Sequence, residues 1–309
     1  MYDTFLRDVE TYFEEVRLLK RGARGSVTLL RHRSTGKRYI FRRFTGSAEV
    51  YRKLLTVDCP YLPRIEEVAE RDGQVAVLEE YVQGDTLTFL LEGGVLSWPE
   101  ARRVTEDVCA ALWVLHSLGA VHRDVKDSNV ILRGDQAVLI DFDASRIIKP
   151  EGTADTVVLG TTGYAAPEQF GLSQTDGRAD IYSLGVLLNV MLTGQHPSRQ
   201  LAAGHAGRVV QRCTMTSPEQ RYHSVQELRE TDMTKTDKKC PHCGAPLAQD
   251  ASFCPRCTAT LAQRRVIALP RAGHRRSRWL LLAAVIAAAA AAAVLWLSRP
   301  GDTPPEDTA

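Results

Sequence analysis

Four side chains with complementary chemistry lie close together in the middle of the chain. The octet His122–Asn129 reads HRDVKDSN, and Asp141-Phe142-Asp143 follows about a dozen residues later. Asp124 is a carboxylate placed to take a proton. Lys126 supplies a cation two residues on, Asn129 an amide three beyond that, and Asp141 a second carboxylate. Such a set suits phosphoryl transfer, where catalysis is mostly positioning and charge neutralisation. A lone His-x-Asp triplet would carry little weight. The octet carries far more at this distance from Asp141, with GTTGYAAPEQ (Gly160–Gln169) downstream. A second constellation, Cys240-Pro-His-Cys243 and Cys254-Pro-Arg-Cys257, sets two CxxC knuckles ten residues apart. Four thiolates at that spacing can close a tetrahedral zinc site.

Positioning the first set needs a scaffold, and the flanking patterns describe one. Arg17–Phe44 alternates apolar and polar residues between Gly and Ser-Thr-Gly breaks, which predicts antiparallel strands with tight turns. Ser47–Val57 reads as a short helix and Val75–Val82 as a strand. Trp98–Leu118 carries helical periodicity, with Ser97 as N-cap and Pro99 in the first turn. After the octet, Val130–Leu132 and Ala137–Ile140 read as a hairpin, and Ala179–Thr193 as a strongly apolar helix. Arg229–Lys239 is polar and reads as a linker. The fold class expected is α+β, with a small antiparallel sheet lobe followed by a helical lobe.

On these motifs, residues 10–230 resemble a bacterial, eukaryotic-like (Hanks-type) serine/threonine protein kinase domain. The resemblance implies ATP and Mg2+ as cofactors and protein substrates as partners. Asp124 would orient the substrate hydroxyl and accept its proton, and Lys126 would neutralise the transferring group. Asn129 and Asp141 would hold magnesium. Arg123 would meet a phosphorylated activation loop. Ala166-Pro167-Glu168 matches the family's activation-segment motif, with Arg221 as the partner of Glu168. Asp180 would brace the catalytic loop, and Thr161 would pack against Asp124. This module favours a protein substrate over a small molecule. Thr153, Thr156, Thr161 and Thr162 are candidate autophosphorylation sites.

The nucleotide-binding half departs from the family pattern. The phosphate-cradling loop reads Lys20-Arg21-Gly22-Ala23-Arg24-Gly25-Ser26-Val27, which keeps Gly22, Gly25 and Val27 but has Lys for the first glycine. Arg42 stands where the family has lysine, and the two are not interchangeable at a tight site. Glu49 is the expected helix partner of Arg42. Glu79 falls at the gatekeeper position, ahead of the hinge Glu80-Tyr81-Val82. Asp143 replaces a glycine. The span Pro197–Pro218 is short for the family, so a substrate-docking helix is expected to be trimmed. Two readings follow: an active kinase, or a pseudokinase that binds nucleotide or partners as a membrane-tethered scaffold.

The 309 residues are 44% hydrophobic and 25% charged, as in globular proteins. The net charge of +2 selects no nucleic-acid partner. The N-terminus is acidic and lacks an apolar leader, so the kinase part is expected in the cytosol. Beyond a linker at 231–239, residues 240–258 resemble a zinc ribbon. Metal would supply most of the folding free energy of so short a segment. It carries few basic or aromatic residues, which disfavours nucleic acid and favours a structural or docking role. A basic stretch, 259–278, precedes Trp279–Leu297, nineteen residues without charge. That run just crosses a bilayer core of roughly 30 Å. Arginines before it place the preceding chain on the cytoplasmic side of the cell membrane. Its small alanine face permits a homodimer. Residues 298–309 would form a short outer tail.

Overall fold

The computed structural model describes residues 2–23, 25–148, 161, 163–170 and 175–233, together with residues 243, 256 and 257. The small lobe is a five-stranded antiparallel sheet. Its strands are β1 (Phe13–Gly22), β2 (Gly25–His32), β3 (Arg38–Thr45), β4 (Ile65–Arg71) and β5 (Gln74–Glu80), in the order β1-β2-β3-β5-β4. Side chains alternate between the two faces of a strand, so β3 and β5 each serve two environments. Phe44, Val75 and Val77 join the main core of the protein. Phe41, Ala76 and Leu78 point the other way, into a smaller core capped by α1 (Tyr2–Tyr12).

Helix α1 lies ahead of the segment expected to fold. Its buried residues Tyr2, Phe5 and Val9 recur at the spacing of one helical face, and they cover the outer side of the sheet. On the inner side, α2 (Glu49–Leu54) is shorter than the helix expected at Ser47–Val57. It is anchored by Val50, Tyr51 and Leu54.

The chain then passes through β6 (Asp85–Thr86) and α3 (Leu87–Leu91) into the long helix α4 (Trp98–Ser117). The Ser97 side chain accepts from the Glu100 N–H, while the Glu100 carboxylate accepts from the Ser97 N–H, closing a capping box. Ser97→Ala is expected to cost about 1 kcal/mol. A melting point lower by roughly 2–4 °C in differential scanning fluorimetry checks this.

Strands β7 (Ala120–Val121), β8 (Val130–Arg133), β9 (Gln136–Leu139) and β10 (Arg146–Ile147) carry the loops of the cleft. Below them lies α5 (Gly177–Thr193), apolar on nearly every side. Asp176 caps its start, and it ends at Gly194 in the left-handed conformation, φ 71°. Helices α6 (Gly204–Cys213) and α7 (Val225–Asp232) complete the lobe. No helix intervenes between α5 and α6. Residues 194–203 instead form a connector pinned by Asn189, whose amide donates to the carbonyls of Gln195 and Gln200 and accepts from the Ala202 N–H.

One expectation needs correcting. The polar stretch read as linker from Arg229 begins as helix: α7 runs to Asp232, and Met233 is fully buried, because Val225, Leu228 and Met233 pack into the core. The helical lobe therefore continues past residue 230. The remainder of the linker, Cys240 and Cys254, and the segments 259–278, 279–297 and 298–309 lie outside the described residues. Among the described residues, no helix is long and apolar enough to cross a membrane.

Candidate active site

The catalytic octet is held from below by one buried carboxylate. Asp180, in the first turn of α5 and fully buried, accepts the N–H groups of His122 at 2.9 Å and Arg123 at 2.8 Å. It also lies 2.9 Å from His116 Nε2 on α4. Burial alone would raise this carboxyl; hydrogen bonding and the nearby His116 charge outweigh it and hold the carboxyl below its usual range. The brace allows an unusual backbone, since Arg123 stands at φ 68° and Asp141 at φ 71°. Non-glycine residues seldom adopt such angles, and they persist where surrounding bonds over-determine them. The Arg123 carbonyl, for instance, accepts from Gln169 Nε2 at 2.9 Å.

Within this loop, Asp124 is gripped from three sides. Thr161 Oγ1 donates to one carboxylate oxygen at 2.6 Å. Lys126 Nζ, at 2.6 Å, and Asn129 Nδ2, at 3.0 Å, donate to the other. Lys126 also donates to Thr161 Oγ1 at 2.6 Å, so the three expected neighbours close into one network. Thr161 ties the far segment to this network. Seven residues on, Glu168 meets Arg221 in a buried two-bond pair at 2.6 and 2.9 Å. Arg221 further donates to the carbonyls of Met215, Arg178 and Thr216. Thr153, Thr156 and Thr162 lie outside the described residues.

The metal-facing donors are hard oxygens, as magnesium requires. Asn129 spends its Nδ2 on the Asp124 carbonyl and carboxylate, which leaves its Oδ1 without a donor among the described residues. Asp141 follows β9, with Phe142 buried beside it between Tyr51 and His122 at ring distances of 5.8 and 5.5 Å. Burial alone would raise the Asp141 carboxyl; the charges of Arg42 and Lys20 hold it below the usual range. Asn129 and Asp141 together fit a bound Mg2+. Among the described residues, no cluster of three His, Cys, Asp or Glu side chains forms a metal cage. Of the ribbon cysteines, only Cys243 and Cys257 are described.

The nucleotide half differs most from expectation. Arg42 on β3 is buried, and its Nε donates to Glu79 Oε1 on β5 at 2.7 Å. Its Nη1 reaches Asp141 at 3.1 Å and Asp143 at 3.4 Å. Lys20 Nζ, largely exposed, lies 4.0 Å from the other Asp141 oxygen. Glu49, the expected partner of Arg42, is instead exposed on α2, and its N–H donates to Ser47 Oγ. The short helix turns Tyr51 inward in its place. Tyr51 is fully buried, and its hydroxyl donates to Asp143 at 2.6 Å. The second oxygen of Glu79 is buried without a hydrogen-bond partner among the described residues. The signal that could have found this pairing is the alternation Val75, Val77, Glu79, which puts Glu79 on the face of β5 that Arg42 occupies on β3.

The remaining expected residues fall as follows. Gly22 and Gly25 pair across the β1–β2 turn, and Val27 pairs with both Lys20 and Arg42. A Cβ on Gly25 would lie 2.0 Å from the Arg43 carbonyl, so this glycine serves the packing of the sheet itself. A Cβ on Gly22 meets nothing within 4 Å. The Glu80 side chain turns away from the sheet's inner face and accepts from Arg133 Nη1 of β8 at 2.9 Å, linking the two lobes.

A twisted sheet over a helical lobe, with a clamped aspartate and a second aspartate at the cleft, defines a phosphoryl-transfer domain of two lobes. The chain belongs to the protein kinase domain family, which residues 13–242 match. Residues 239–261 match the zinc-ribbon domain. Over 204 residues, 60% of this chain, it is 31% identical to the serine/threonine-protein kinase pkn2 of Myxococcus xanthus, covering 25% of that protein. It is 32% identical over 202 residues to PknD of Mycobacterium tuberculosis, covering 60% of this chain and 30% of that protein. It is 34% identical over 158 residues to PknA of Nostoc, covering 48% and 28% respectively. The chain thus spans about a quarter to a third of the length of these relatives.

Proposed function

We propose that this chain is a serine/threonine protein kinase that transfers the γ-phosphoryl group of ATP to hydroxyls of proteins, itself included. The observation that carries the reading is the three-sided grip on Asp124 by Lys126, Asn129 and Thr161, with Asp141 at the same cleft. Asp124 orients a hydroxyl and takes its proton as the new bond to phosphorus forms. Lys126 neutralises charge on the group in transit. Asn129 and Asp141 would hold magnesium, which would neutralise charge on the phosphates when bound. Arg42 and Lys20, both close to Asp141, replace the usual lysine as cations facing the phosphates.

We further propose that residues 279–297 tether the protein to the cell membrane, with kinase and ribbon on the cytoplasmic side, and that Cys240, Cys243, Cys254 and Cys257 bind one structural zinc. The test is incubation of the full chain with labelled ATP and Mg2+, followed by phosphoamino-acid analysis. Label on serine or threonine, absent in Asp141→Ala, is expected. The absence of label despite MgATP binding would instead favour the scaffold reading, which the Arg42 contacts to Asp141 and Asp143 support, because Arg42 occupies a carboxylate oxygen that a metal would need. Extraction of membranes with alkaline carbonate tests the tether. Zinc analysis, with loss expected in Cys254→Ser, tests the ribbon.

A further inference from the structure

We infer that Glu79 is the positioning residue for Arg42, so that the grip on nucleotide phosphates is a fixed property of the sheet and is uncoupled from α2. This inference rests on the nucleotide-binding part of the kinase reading. In protein kinases generally, the phosphate-binding lysine is held by a glutamate from a helix, and the pair forms only when that helix is in place. Here the two partners sit on neighbouring strands of one sheet. Arg42 pairs with Val77 and Ile40 with Glu79 in the β3–β5 ladder, so Arg42 and Glu79 lie diagonally on the inner face. Their side chains are 5% and 3% exposed, and the Nε–Oε1 distance is 2.7 Å. Their backbones are fixed by the β3–β5 ladder, and burial restricts the rotamers of both side chains.

The chemistry of arginine makes this arrangement workable. A lysine has one nitrogen, which must serve both its carboxylate partner and the phosphates. Arginine presents its donors in a planar fork. Nε is spent on Glu79, and Nη1 points onward to Asp141 and Asp143. Holding and gripping are thus divided between different N–H groups. Helix α2, by contrast, meets the site through Tyr51, whose hydroxyl donates to Asp143 and whose ring packs on Phe142, while Glu49 faces solvent. A change in the position of α2 would then disturb Asp143 and its contact with Arg42 Nη1, but leave the Arg42 Nε–Glu79 bond within the sheet in place.

The experiment measures dissociation constants of the full chain for MgATP and for adenosine by isothermal titration calorimetry. The ratio between the two isolates the phosphate contribution, which a merely structural role would leave unmoved. Glu79→Gln is expected to weaken MgATP about tenfold or more, with adenosine changed by less than about twofold. Glu49→Ala is expected to change neither. An unchanged ratio in Glu79→Gln overturns the inference. So does a tenfold loss of MgATP affinity in Glu49→Ala, which would mean that the helix turns in when nucleotide binds. Should Glu79→Gln fail to fold, Glu49→Ala, a surface change, decides alone. A wild-type chain that binds no MgATP sinks this inference and the kinase reading together. One that binds MgATP yet transfers nothing sinks the kinase reading only, and the ratio still decides the role of Glu79.

Discussion

Asp124→Asn is expected to slow phosphoryl transfer by about 10²- to 10⁴-fold, the usual worth of a positioned proton acceptor, while MgATP affinity stays within about twofold. The reason lies in the hydrogen bonds the new amide can keep. Lys126 has no acceptor, so it demands an oxygen, and Asn129 Nδ2 demands one too. The asparagine Oδ1 satisfies both. Its Nδ2 then faces Thr161 Oγ1, a hydroxyl that can accept as readily as donate. The loop stays in place, and the loss is confined to the group that takes the proton. Single-turnover transfer measured beside nucleotide binding separates the two effects. Transfer within a factor of about three of wild type would remove Asp124 from the chemistry.

Arg221→Met should be the most damaging change away from the cleft. It leaves Glu168 as a buried carboxylate without its cation, a loss of about 3–5 kcal/mol in comparable cases. It also deprives the carbonyls of Met215, Arg178 and Thr216 of their donors. Thermal denaturation of the full chain should show a midpoint lower by roughly 10 °C. Arg221→Lys should recover little, because one ammonium cannot make the two-bond contact and reach three carbonyls as well. A fall of less than about 2 °C in the methionine variant would show that the pair adds nothing net to folding.

What was legible in the sequence follows from how local the information is. The octet and the second aspartate declared themselves because each lies in a short run whose residue types are chemically demanding, and the Glu168–Arg221 pair was expected through the family resemblance alone. Helix α4 was legible through its cap and its periodicity. The Arg42 partner was not, because ion pairing across a sheet depends on strand register, and register is set by turns and bulges distributed along several strands. Glu49 lay near the expected spacing, yet a helix of barely two turns rotates its inner face by a large angle for each residue of offset. That offset placed Tyr51 inside. Helix α1 escaped notice for a different reason. Tyr2, Phe5 and Val9 form a narrow stripe in an otherwise acidic segment, and only the apolar outer face of the sheet gives it a use.

The Glu79–Arg42 pair has a pharmacological corollary. Compounds that compete for a nucleotide cleft often gain selectivity by extending an apolar group past the gatekeeper side chain. In this protein such a group would meet the Glu79–Arg42 ion pair and a buried carboxylate oxygen that has no partner among the described residues, and would offer that oxygen none. An extension ending in a protonated amine would find a partner at the same spot, so the cleft should select cationic inhibitors over apolar ones.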